Sequence, residues 1–101
     1  MENIELGELR YDIDNLDNQL ILLLAERFRL TEKVGIYKTK NNLDAKDNKR
    51  ELEQFNRIKD LSLKYGLNPD YATIIYECII NTVISRHKEL KRNIIDDSNS
   101  I

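Results

Sequence analysis

From Leu6 onward, apolar side chains recur at alternating steps of three and four: Leu6, Leu9, Ile13, Leu16, Leu20, Leu23, then Leu30, Val34 and Tyr37. That spacing is one face of an α-helix and cannot serve a strand, whose faces alternate every second residue. No proline interrupts the stretch to Lys40, and only Gly7 and Gly35 weaken it. The pattern predicts one helix over 6–40, roughly 50 Å long at 1.5 Å per residue. A single position breaks the seam. Arg27 stands where the repeat asks for leucine. A guanidinium on an apolar seam is costly unless an anion meets it.

Downstream, local signals mark two more helices. Asn41-Asn42-Leu43-Asp44 loses the periodicity and reads as a loop. Asp47 is an N-cap for a helix over about 48–65, because its carboxylate can accept from exposed backbone N–H groups. Leu52, Phe55, Ile58, Leu61 and either Leu63 or Tyr65 are expected to face inward. Gly66 stops that helix, and Asn68-Pro69 opens the third as N-cap and first-turn proline. The third helix carries Tyr71, Ile74, Ile75, Cys78, Ile79, Ile80, Val83 and Ile84, apolar nearly all round, and should be packed on more than one side. Residues 1–4 read as a frayed start. The expected domain is 1–92, with a disordered polar tail at 93–101.

The fold class is therefore all-α, three helices with a very long first one. The second and third, roughly 27 and 35 Å, are too short to cover the first. A second copy lying antiparallel would, so an intertwined homodimer is expected over a bent monomeric bundle. With 101 residues this is one small domain. Charged residues make up 34% yet the net charge is −2, with signs interleaved, so there is no nucleic-acid footprint. The longest apolar run, 20–25, is far too short to span a bilayer. No secretory leader pattern opens the chain, and the single cysteine, Cys78, suits a reducing compartment, where it is expected to be buried and inert. The expected location is the cytoplasm.

Several charged groups lie beside apolar faces. Arg27 and Lys38 are eleven residues apart, nearly three whole turns, and so share a face. They can close on one small anion, or snorkel to solvent and pair with Glu26 and Glu32. Asp47, Arg50 and Glu51 cluster at the start of the second helix, where the N-terminus favours anions. Glu51, acceptor-only when ionised, suits a ligand hydroxyl; the plainer alternative is a capped, solvated first turn. His87, the single histidine, follows Tyr76, Ile80 and Val83 along one stripe. A boundary residue is the ordinary role there, and no second ligand stands at metal-binding spacing. Arg10, about 25 Å from Arg27 along the helix, can reach only a partner's ligand in an antiparallel dimer, or else pairs with Asp14.

Taken together, LRYDIDNLDNQLILLLAERFRL, KVGIYK, DNKRE and HKEL resemble the all-α (AroQ-type) chorismate mutases over about residues 6–90. The combination is specific, whereas no single piece is. The resemblance implies cofactor-free rearrangement of chorismate to prephenate in the biosynthesis of phenylalanine and tyrosine, by a homodimer with shared sites. It implies that Arg27 clamps one substrate carboxylate and that the partner chain's Arg10 clamps the other. Lys38 would contact a carboxylate and the ether oxygen of the breaking C–O bond. Asp47 and Glu51 would bind the ring hydroxyl, Arg50 would support substrate and loop, and Val34, Ile80 and Ile84 would line the apolar wall. Two positions depart from the family pattern. His87 stands where Gln is most frequent, and imidazole can still donate one N–H to the ether oxygen. Val83 stands where Ser is frequent, which weakens one polar contact. Asp47, Arg50 and Glu51 argue against the related isochorismate-pyruvate lyases. A non-catalytic helical dimerisation module is the remaining alternative.

Overall fold

The computed structural model describes the backbone of residues 2–99 and the side chains of residues 4–93. Among the described residues there are three helices and no strand: α1 (Glu2–Lys40), α2 (Asn48–Tyr65) and α3 (Pro69–Asn99). α1 begins at Glu2, inside the stretch 1–4 expected to fray, and α3 continues well beyond Leu90. The expected tail falls largely on 94–101, outside the residues described with side chains. The chain divides into two compact units, Met1–Thr31 and Glu32–Ile101.

The first unit is helical, and its apolar seam lies bare. Leu16 is 62% exposed, Ile21 64% and Leu30 62%. Only Leu24, Arg27, Phe28 and Thr31 reach half-burial among its described side chains.

The second unit holds the last turns of α1, the α2–α3 hairpin and the core. α1 ends in a Schellman arrangement: the Leu43 N–H donates to the Lys38 carbonyl at 2.8 Å and the Asn42 N–H to the Thr39 carbonyl at 3.3 Å. This needs a left-handed residue, and Asn42 supplies it at φ 53°. α2 is capped as its sequence asks. Asp47 Oδ1 accepts from the Arg50 N–H at 3.1 Å, and Gly66 takes φ 71°. At α3, Asn68 Oδ1 accepts from the Asp70 N–H at 2.9 Å.

α2 packs on α3. Ala72, Ile79 and Ile80 are buried, as are Ser62 and His87. Buried Ser62 is satisfied by donating to the Ile58 carbonyl at 2.7 Å. The inward face of α2 is narrower than expected. Phe55, Ile58 and Leu61 are half-buried, but Leu52, Leu63 and Tyr65 are exposed, because α3 covers only the strip through Ser62. α3 likewise leaves Tyr71, Ile74 and Ile75 open, and Cys78 is exposed within the chain rather than buried. Near the α2–α3 turn, a cavity of about 160 Å³ is lined by Ile58, Leu61, Leu67, Ala72 and their neighbours.

Candidate active site

Ile80, Val83, Ile84 and His87 stand at i, i+3, i+4 and i+7 on α3, one face of the helix. Ile80 and His87 are buried, and Val83 and Ile84 are half-buried. The His87 ring lies against the backbone of α1 at Gly35. A Cβ built on Gly35 would sit 2.5 Å from His87 Cδ2, 2.9 Å from its Nε2 and 2.8 Å from Leu90 Cδ1. Glycine is required there by close approach, since α1 is regular at that residue. Val34 and Lys38 flank the contact on α1, Val34 exposed and Lys38 half-buried.

Lys38 also organises the loop that follows. Its Nζ donates to the Ala45 carbonyl at 3.1 Å while its own carbonyl accepts from Leu43. That loop delivers Asp47 and the first turn of α2. Asp47 is exposed and spends its carboxylate on the cap. Arg50 is exposed and approaches Glu53 at 3.8 Å, a weak surface pair. Glu51 is half-buried, and its Oε2 is buried with no hydrogen-bond donor among the described residues. A buried carboxylate oxygen in that state is a strong acceptor for a ligand hydroxyl.

One ion pair escaped sequence reasoning. Arg86, next to His87, grips Glu32 with its Nε and Nη2, at 2.7 to 3.1 Å, and reaches Glu89 at 2.9 Å through Nη1. Glu32, offered by the sequence as a neighbour for Lys38, is thus bound to α3, and Lys38 takes the loop carbonyl. The hydrogen bond from Arg86 holds the Glu32 carboxyl below its ordinary range, against opposing desolvation, with the charge of Arg86 adding to it. The Arg86 guanidinium is pushed up by the same bond.

Of the remaining expected site residues, Arg10 and Arg27 belong to the first unit. Arg10 is exposed and Arg27 half-buried. Among the described residues, no cluster of His, Cys, Asp and Glu is arranged to hold a metal ion, and no helix is long and apolar enough to cross a membrane.

The described fold is an all-α chain of three helices, and sequence comparison makes the class specific. The profile of the family described as chorismate mutase type II matches residues 9–88, and the chain belongs to that family. It is 38% identical over 90 residues to a bifunctional chorismate mutase/prephenate dehydratase of Aquifex aeolicus, covering 86% of this chain and 25% of the relative. A bifunctional protein of the same name from Buchnera aphidicola is 30% identical over 95 residues, 94% of this chain and 25% of its own. The chain thus spans about a quarter of those bifunctional relatives. Against a chorismate mutase of Methanocaldococcus jannaschii, the match is 26% identity over 94 residues, 93% of this chain and 91% of the relative.

Proposed function

We propose that this protein is a chorismate mutase, converting chorismate to prephenate in aromatic amino-acid biosynthesis. The family match across residues 9–88 carries the reading. The reaction is a unimolecular isomerisation: an ether C–O bond breaks as a C–C bond forms in the same molecule, so no atom or electron enters or leaves. It calls for a dianion held in a compact conformer and for positive charge where the ether oxygen gains electron density. Arg27, and Arg10 from a second copy, hold the carboxylates by forked N–H donation. Lys38 supplies charge at the ether oxygen, and His87 donates beside it. Glu51 accepts from the ring hydroxyl, a role supported by its buried Oε2. Asp47 and Arg50 hold the turn that carries Glu51, while Val34, Ile80, Val83 and Ile84 give the apolar wall.

The functional unit is a homodimer in the cytoplasm. The bare seam of the first unit, with Leu9, Ile13, Leu16, Leu20 and Leu23 all more than half exposed, supports a second copy as its cover. Loss of chorismate ultraviolet absorbance, with isochorismate as control, tests the activity. Turnover of chorismate is expected. Turnover of isochorismate alone means a lyase, and turnover of neither means a non-catalytic helical module.

A further inference from the structure

We infer that Gly35 is a positioning residue for His87: a notch in α1 that seats the imidazole, locked by the Glu32–Arg86 clasp one turn away. The inference rests on the proposed chorismate mutase reading for its catalytic consequence, but not for its geometry. Three observations converge. His87 is only 4% exposed. Any side chain at position 35 would drive into the ring, at 2.5 Å from Cδ2 and 2.9 Å from Nε2, and into Leu90 at 2.8 Å. Finally, Arg86, the residue before His87, is bound to Glu32, three residues before Gly35, by a forked pair of bonds.

Notch and clasp do different things. The notch sets how close the ring can approach α1, and with it the depth of the imidazole relative to Lys38, which is one turn further along the same helix as Gly35. The clasp fixes the register of α3 against the end of α1, because a guanidinium fork on a carboxylate tolerates little sliding. A long, flexible glutamine at position 87 can reach past a misplaced backbone. An imidazole has only two side-chain torsions, so its donor atom goes where its seat puts it. With histidine at position 87, this chain therefore depends on the notch more than a His87→Gln variant would. Gly35 touches no substrate; it acts through His87.

His87 is the single histidine of the chain, so its imidazole C–H cross-peaks in a carbon–proton NMR spectrum report the seat with no assignment problem and no need for activity. In Gly35→Ala, those peaks are expected to move to the positions of solvent-exposed histidine. kcat on chorismate should fall by about 100-fold, the scale of an ångström-sized misplacement, with KM changing much less. In a His87→Ala background, the same Gly35→Ala change should cost under about twofold in kcat, because the ring it displaces is gone. Gly35→Ala in a His87→Gln background should fall between the two. Unmoved imidazole peaks in Gly35→Ala, or an equal kcat loss in the His87→Ala background, overturn the inference. Should Gly35→Ala fail to fold, Glu32→Gln carries the test. It leaves the notch and weakens only the half-exposed clasp, and it should shift or broaden the same peaks; peaks identical to wild type overturn the inference. A wild-type protein that does not turn over chorismate defeats the functional reading instead, and leaves the NMR result standing on its own.

Discussion

At Lys38 the carbonyl accepts from Leu43 and the ammonium donates to the Ala45 carbonyl, so the side chain already points along the loop that leads to Glu51. In the proposed reaction, Lys38→Met removes the charge that would face the ether oxygen as it gains electron density. We expect kcat to fall on the order of 100- to 1,000-fold, with a smaller change in KM, since the charge matters most in the transition state. Steady-state kinetics at several chorismate concentrations decide it; a change confined to KM would reduce Lys38 to a binding group. Glu32 gives a second expectation at this scale. Its carboxyl is held below its ordinary range by Arg86, so the folded state favours the ionised form. The stability this contributes is fully present above the ordinary carboxylate range and is lost as pH falls through the depressed one. Both side chains are more than a third exposed, which keeps the effect modest. Thermal melts of wild type and Glu32→Gln should differ at neutral pH and converge under acid. A constant gap down to acid pH would contradict the assignment. The seat of His87 was not legible from sequence, because it depends on residues far apart in the chain meeting at a glycine. The one local hint was a glycine in mid-helix, which the periodicity treats only as a weak spot. Arg86 gave no hint either, being one charge among many until α1 and α3 meet.

The helix ends, by contrast, were written locally. Asp47, Gly66 and Asn68-Pro69 each act within one turn, and α2 and the start of α3 fall where those residues put them. Gly66 offers a clean test of that reasoning. A Cβ there meets nothing within 4 Å, yet φ is 71°. Gly66→Ala therefore carries backbone strain alone, about 1 kcal/mol, seen as a lower urea midpoint with an unchanged slope. No loss would mean that the turn relaxes to another conformation. Asn42, at φ 53°, shows the alternative solution, a residue that visits the left-handed region at small cost. The buried faces were less legible than the ends. Apolar periodicity tells which side of a helix seeks cover, and not how wide the cover is. Leu52 and Leu63 belong to that difference, as do Tyr71, Ile74 and Cys78.

For the whole molecule, the seam over Leu6 to Leu30 was plain in the sequence, and within the chain it remains exposed. The proposed dimer follows from it, and shared sites follow from the roles given to Arg10 and Arg27. Arg10→Ala and Arg27→Ala should each be inactive alone. Mixed and allowed to exchange subunits, they should regain up to one intact site per mixed dimer, because each then supplies what the other lacks. No recovery after exchange has been verified by mass would rule out sharing. A bare seam has one more consequence. In the proposed dimer, a chain whose exposed seam is covered by a second copy would link its melting temperature to its own concentration, so dilution would act on it as a denaturant acts on a self-sufficient domain. In a cell, the amount made would then set the fraction folded as well as the number of molecules present.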